Sequence, residues 1–164
     1  MTRWTLMFTL FTSTLFAASV SAAEEIASFL ITGKEDGETS STIGFGYDSC
    51  GGECHVATLS CSESGAITIT LADIDAENAA KAITQETKQI LLSVGGKKFD
   101  YSVSDMQYAE MTGSWWLTAH TQDVHARELA PAIAKSKTVE ALVGGQKIVL
   151  PVDKNFQSWA VACK

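Results

Sequence analysis

One pattern of apolar and polar residues occurs twice along the chain. Residues 89–103 and residues 140–152 each consist of an apolar run, a Gly-Gly pair and a second apolar run. This pattern is typical of a β-hairpin, because a type I′ turn needs positive φ at both central positions and glycine adopts it without steric cost. The sequence therefore predicts two hairpins.

The similarity between the two hairpins extends to the residues that precede them. Gly65–Leu71 corresponds to Gly113–Ala119, and Asp75 and Asp123 each precede an alanine-rich segment, all at an offset of 48 positions. In the first copy, apolar residues alternate with threonines before Asp75 and follow helical spacing after it, which indicates a strand and then a helix. We therefore predict a duplicated strand–helix–hairpin unit that closes with a short helix. The two copies are expected to span approximately residues 65–111 and 113–161.

The order of the predicted elements indicates an α+β fold. We expect an antiparallel sheet with two helices on one face, built from the duplicated strand–helix–hairpin unit. Before the first copy, residues 24–41 are expected to form a short strand and then an exposed polar loop. Residues 42–48 and 55–60 are expected to form two more strands. Pro131 does not suit a helix interior, so the second helix should kink or begin there.

The first 23 residues have the features of a secretory signal peptide. Arg3 precedes an apolar stretch from Leu6 to Val20, and small residues follow. Cleavage would leave residues 24–164 as one exported domain, periplasmic or extracellular, with no membrane span. Without Arg3, 11 basic residues stand against 19 acidic ones, a formal charge of −8. This charge gives no electrostatic attraction to nucleic acid or to anionic lipid.

The four cysteines indicate two disulfides, because an even number in an exported chain is typical of an oxidising compartment. The sequence leaves three pairings open, and we favour Cys50–Cys54 and Cys61–Cys163. The second would join the start of the first copy to the end of the second. Alternatively, Cys50, Cys54, His55 and Cys61 could bind zinc or copper or act as redox-active thiols. The CxxxCH string is one residue longer than the haem attachment motif.

A second cluster combines His120, Asp123 and His125. Imidazole and carboxylate groups at this spacing could bind a metal or supply the acid and base of a hydrolase. Asp123 is also the expected N-cap of the second helix, which would engage its carboxylate. No nucleophile elbow, phosphate-binding loop or paired-carboxylate signature occurs in the sequence. We therefore expect neither an enzyme nor a bound cofactor.

Trp115 and Trp116 are the candidates for a binding surface. Neighbouring strand residues point to opposite faces, so the two cannot share one core. One is expected in the core, and the other either packs at the core or an edge of the sheet or lies at a surface that contacts a ligand or a partner. The sequence thus predicts a non-enzymatic exported protein, binding or inhibitor-like, that is a monomer or small oligomer. Its partner, a protein or a small ligand, is not identified. The alternative is the metal-binding or thiol-redox protein described above.

The end of the chain carries one family resemblance. A Gly-Gly hairpin, a strand ending in Leu150-Pro151 and a short aromatic helix ending at Cys163 follow one another. This pattern resembles the C-terminal part of small exported bacterial proteins related to the invasion-associated locus B family. The resemblance is confined to this end and includes no diagnostic motif, so it implies no function.

Overall fold

The structure is a computed structural model that describes residues 25–35, 38–50, 54–62, 65–84, 89–121 and 124–163. The expected signal peptide lies outside the described residues. Within them the chain forms nine strands and three helices. The strands are β1 (Ile26–Glu35), β2 (Glu38–Tyr47), β3 (His55–Cys61), β4 (Ile67–Ile74), β5 (Gln89–Val94), β6 (Lys97–Ala109), β7 (Ser114–Thr121), β8 (Thr138–Val143) and β9 (Gln146–Pro151). The helices are α1 (Ala76–Thr84), α2 (Val124–Ile133) and α3 (Lys154–Ala162).

The nine strands form one antiparallel sheet in the order β1-β2-β3-β4-β7-β6-β5-β8-β9. The 13-residue strand β6 connects its two parts, because residues 97–102 pair with β5 and residues 103–109 pair with β7. β1 and β9, at the two ends of this order, contact each other. The predicted antiparallel sheet is confirmed, and it curves into a nearly closed barrel. Of the three described helices, α3 lies where a short closing helix was predicted.

Both predicted hairpins are confirmed. β5 pairs with β6 around Gly95 and Gly96, and β8 pairs with β9 around Gly144 and Gly145. The φ angles are 56° and 84° in the first turn and 60° and 124° in the second. These values lie in the region that glycine adopts without steric cost. The order strand, helix, hairpin occurs at β4-α1-β5-β6 and again at β7-α2-β8-β9.

The prediction of a short helix near residues 106–111 is wrong. Residues 106–109 belong to β6, where Met106 pairs with Leu117 and Tyr108 pairs with Trp115. Met106 packs against the core and the Tyr108 ring lies 5.1 Å from that of Trp115. These contacts follow the two-residue period of a strand, which a short apolar run does not distinguish from a helical turn.

Two further expectations need correction. The polar segment after residue 31 was expected to be a loop, but β1 continues to Glu35 and β2 begins at Glu38. These polar strand ends form because their backbones pair with each other, and this pairing does not need apolar side chains. Pro131 lies inside α2, which begins at Val124, so of the two alternatives the start at the proline is wrong and the kink stays a prediction.

The core lies between the inner face of the barrel and the helices. Trp159 and Phe156 of α3 are fully buried, and the Phe156 ring lies 4.9 Å from that of Phe45 in β2. The Trp159 indole donates to the Ser41 carbonyl at 2.9 Å. Asp153 caps α3 by accepting from the Phe156 amide at 3.0 Å. None of the helices that the structure describes is long and apolar enough to cross a lipid bilayer.

Asp75 is the N-cap of α1, as predicted. Its carboxylate accepts hydrogen bonds from the backbone amide of Asn78 at 2.8 Å and from the Asn78 side chain at 2.7 Å. These bonds, the backbone bond first, lower the pKa of Asp75 because they favour the charged carboxylate. The corresponding prediction for Asp123 falls outside the described residues.

Candidate functional site

The outer face of the barrel consists largely of small hydroxyl residues. Thr70 and Thr118 hydrogen-bond across β4 and β7 at 3.0 Å, and Thr42 bonds Ser60 across β2 and β3 at 2.8 Å. The buried side chains of the described helices belong to the core on the other side of the sheet. The outer face is therefore a polar surface that these helices do not cover.

One part of this face is apolar and concave. We call it the outer cleft, and its volume is about 140 Å³. Its walls are rings and methyl groups, with the Trp116 and His55 rings 6.5 Å apart. The lining residues are His55, Ala57, Thr58, Thr70, Ala72 and Trp116.

The Cys50–Cys54 disulfide holds the His55 side of the outer cleft. His55 begins β3, immediately after this disulfide. The backbone amide of Tyr47 donates to the Cys54 carbonyl at 3.2 Å, which ties the end of β2 to the start of β3. The residue before His55 is thus anchored by a disulfide and by a backbone hydrogen bond.

Phe29 extends the aromatic surface beyond the cleft. It faces Gly44 across the β1–β2 pair, and a Cβ atom at Gly44 would lie 2.3 Å from the Phe29 ring. Glycine at this position is therefore required for the ring to lie on the sheet. The Phe29 ring meets the His55 ring edge-on, with centroids 5.5 Å apart.

A β-bulge shapes the opposite wall. The pairing of β4 with β7 shifts between Leu71 and Ile74, and Asp73 has a φ of 58°. Aspartate tolerates this left-handed conformation better than most residues. The Asp73 carbonyl accepts from the Gln146 side chain at 2.9 Å. Bulges of this kind commonly redirect side chains beside functional sites, and here the bulge adjoins Ala72 and Trp116.

The His55 ring contains an unsatisfied polar atom. Its Nδ1 is buried and has no hydrogen-bond partner in the part of the chain that the structure describes. A buried nitrogen without a partner costs roughly 1–3 kcal/mol. Unsatisfied groups of this kind are uncommon in folded proteins and call for an explanation, which a bound ligand can supply.

The two tryptophans proposed as a binding surface lie on opposite faces. Trp115 packs against the core and beside Tyr108, at the inner edge of the barrel. Trp116 lines the outer cleft. Sequence reasoning proposed the pair and considered His55 only as a metal ligand or an ordinary strand residue. The glycines of the predicted strand 42–48 indicate that another group approaches this strand closely. The sequence does not show that this group is Phe29, because it does not identify the strand that pairs with residues 42–48.

The cysteines form the two disulfides that were favoured from the sequence, Cys50–Cys54 and Cys61–Cys163. All four sulfur atoms are therefore bonded. Metal binding by these cysteines, or thiol chemistry on them, needs a thiolate, which a disulfide sulfur does not provide. The alternative site of Cys50, Cys54, His55 and Cys61 is thus not formed in the oxidised chain. No group of three His, Cys, Asp or Glu among the described residues could hold a metal ion.

The second proposed cluster is described only in part. His120 is exposed on the outer face, and its Nδ1 is 2.8 Å from the hydroxyl of Thr68. Asp123 and the side chain of His125 lie outside the described residues. The cluster therefore stays a prediction.

A larger groove of about 220 Å³ lies elsewhere, between α1 and strands β6 and β7. Ile83, Val103, Asp105 and Met106 are among its lining residues. Sequence reasoning did not identify it, because it depends on how α1 rests against the bulge between Val103 and Asp105. It contains neither of the tryptophans.

Comparisons of the chain with protein-family models, curated proteins and solved structures give no match. The resemblance of the C-terminal end to the locus B family therefore receives no support from them. The function has to be argued from the site itself.

Proposed function

We propose that the chain is an exported, non-enzymatic binding protein that takes its ligand on the outer face of the barrel, at Trp116. The observation that carries the proposal is the outer cleft, an apolar concavity on a face that elsewhere carries many hydroxyl groups. Binding sites are typically concave and mainly apolar, with few polar groups to orient the ligand. The unsatisfied nitrogen of His55 is such a group.

Export is supported by the disulfides and by the expected signal peptide. Disulfides persist in oxidising compartments, and both bonds here join cysteines of the domain that would remain after cleavage. The acidic composition favours solubility and gives no attraction to nucleic acid. The cleft walls are rings and methyl groups, which suit recognition rather than bond making.

We also infer that the two strand–helix–hairpin units arose by duplication. Thr70 and Thr118 occupy equivalent positions, 48 residues apart, and they face each other across the β4–β7 pair. Equivalent residues that face each other in an antiparallel pair imply a local twofold axis between the strands. The position equivalent to Trp116 in the first copy is Thr68. On this account the aromatic wall of the cleft is a specialisation of the second copy.

The proposal can be tested with the three tryptophans of residues 25–163 as reporters. Trp159 lies in the core, Trp115 at the inner edge and Trp116 in the outer cleft. The ¹⁵N-labelled protein is titrated with phenol, toluene, 1-hexanol and glucose while the indole N–H signals are recorded. At least one probe should shift the Trp116 signal saturably and leave that of Trp159 in place.

A matched pair of variants completes the test. Trp116→Ala should abolish the binding, read from the amide signals of Thr70 and Thr118, and Trp115→Ala should retain it. If Trp116→Ala loses the dispersed spectrum of a folded protein, Trp116→Leu is used in its place. The proposal is wrong if no probe saturates the Trp116 signal, or if a folded Trp116 variant binds as the wild type does.

A further inference from the structure

We infer that the ligand of the outer cleft is a small molecule with a single six-membered aromatic ring that carries a hydroxyl group, of which phenol is the simplest example. This inference rests on the proposed function, since it names the ligand class of the same site. Three features of the cleft lead to it: its volume, its walls and the unsatisfied nitrogen of His55.

The volume of the cleft matches a single ring. The outer cleft measures about 140 Å³. An engineered apolar cavity of ~150 Å³ holds one benzene molecule. A single ring therefore fills the space that the walls of the cleft surround.

The walls favour an aromatic ring over a sugar. Trp116 and His55 present two ring surfaces, and aromatic pairs prefer edge-to-face or offset arrangements with centroids ~4.5–7 Å apart. A sugar carries hydroxyl groups around its whole ring, and these would need several polar partners. The Thr70 hydroxyl is already engaged by Thr118 at 3.0 Å. Ala72 completes the apolar lining.

The unpaired nitrogen of His55 is the reason for inferring one hydroxyl group on the ligand ring. Nδ1 is buried and unpaired in the described part of the chain. The bond requires the ring orientation in which Nδ1 faces the cleft, and a turn of the imidazole about its Cβ–Cγ bond gives this orientation by exchanging the positions of Nδ1 and Cδ2. A hydroxyl can donate to or accept from the imidazole nitrogen, whichever tautomer is present. One hydroxyl thus supplies the partner that His55 lacks.

The comparison of phenol with toluene tests this inference directly. Without a hydrogen bond, toluene should bind an apolar cleft more tightly, because burying an unpaired hydroxyl is unfavourable. The bond to His55 should raise the affinity of phenol relative to that of toluene ~2- to 13-fold above this baseline, which corresponds to ~0.5–1.5 kcal/mol for one net hydrogen bond. Dissociation constants of both probes are measured from the Trp116 indole signal.

The variant His55→Phe keeps an aromatic wall and removes the nitrogen. Any change in the size of the cleft affects both probes, so the ratio of the two dissociation constants isolates the hydrogen bond. We expect the ratio of the toluene to the phenol dissociation constant to fall ~2- to 13-fold in His55→Phe. An unchanged ratio in His55→Phe would overturn the inference.

The remaining outcomes separate this inference from the proposed function. If glucose or 1-hexanol saturates the Trp116 signal and neither aromatic probe does, the ligand class is wrong and the binding function stands. If none of the four probes saturates it, both are wrong.

Discussion

Trp115 and Trp116 are neighbours in the sequence, yet they belong to two faces of the barrel with different composition. The inner face is aliphatic and is covered by helices, and Trp115 packs against that core. The outer face carries a network of threonine and serine hydroxyls, interrupted by the cleft that Trp116 lines. We conclude that the inner face supplies the stability of the barrel and leaves the outer face available for binding.

Each face also has its own disulfide. Cys61 and Cys163 are buried, and their bond fastens the end of α3 to β3 on the inner side. Cys50 and Cys54 are close in the sequence, and their bond precedes the His55 wall of the outer cleft. Removing each disulfide separately is therefore the strongest way to test whether the two faces have different roles.

The largest expected effect is on stability, from the pair Cys61→Ser/Cys163→Ser. The sequence separation is 102 residues, and closing a loop of ~100 residues contributes up to ~4.7 kcal/mol in the chain-entropy model. The separation of Cys50 and Cys54 is only 4, for which the same model gives about 2 kcal/mol. Urea unfolding should show the larger loss for the first pair.

Phenol titrations of the same variants should show the opposite order. Loss of Cys50–Cys54 loosens the start of β3 and should weaken phenol binding severalfold. Loss of Cys61–Cys163 should leave the affinity of the folded molecules unchanged. Equal effects of both pairs on affinity would mean that the two faces are not independent.

The smallest expected effect concerns Asp75, which caps a helix of the inner face. Its pKa is lowered in the folded chain from an ordinary value of 3.8, chiefly by the bond from the Asn78 amide. The capping contribution is therefore complete above pH 3.8 and is lost as the pH falls through the lower, folded pKa.

The variant Asp75→Asn is the matched control, because asparagine caps a helix without titrating. Acid titrations of unfolding should show that the stability advantage of the wild type over Asp75→Asn declines below pH 3.8. Phenol binding should be the same for both proteins at neutral pH, since α1 packs Ala79 and Ala82 against the core. A constant difference in stability across the acid range would show that the cap does not act through its charge.

The hairpins and the cap of α1 were predictable because their determinants are local. A Gly-Gly turn restricts its own backbone, and Asp75 bonds residues one helical turn away. The closure of the sheet was not predictable, because it depends on β1 meeting β9 from the other end of the chain. The strand at 106–109 was mistaken for a helix because its pairing with β7 is a tertiary contact.

The outer cleft was predictable only in part. The alternation around Trp115 and Trp116 indicated that one tryptophan leaves the core, but not which one. The cleft also requires His55 from β3 and Ala72 from β4, which the pairing of separate strands brings beside Trp116. No spacing rule in the sequence connects these residues.

The measurement that tests the central claim most directly is the set of intermolecular NOEs between phenol and the protein. The outer cleft and the larger groove beside α1 are separate concavities with different methyl groups. We predict NOEs from the phenol ring to Trp116, Ala72 and the Thr70 methyl. NOEs to Ile83 and Met106 instead would place the ligand in the groove beside α1 and would contradict the assignment of binding to the outer face.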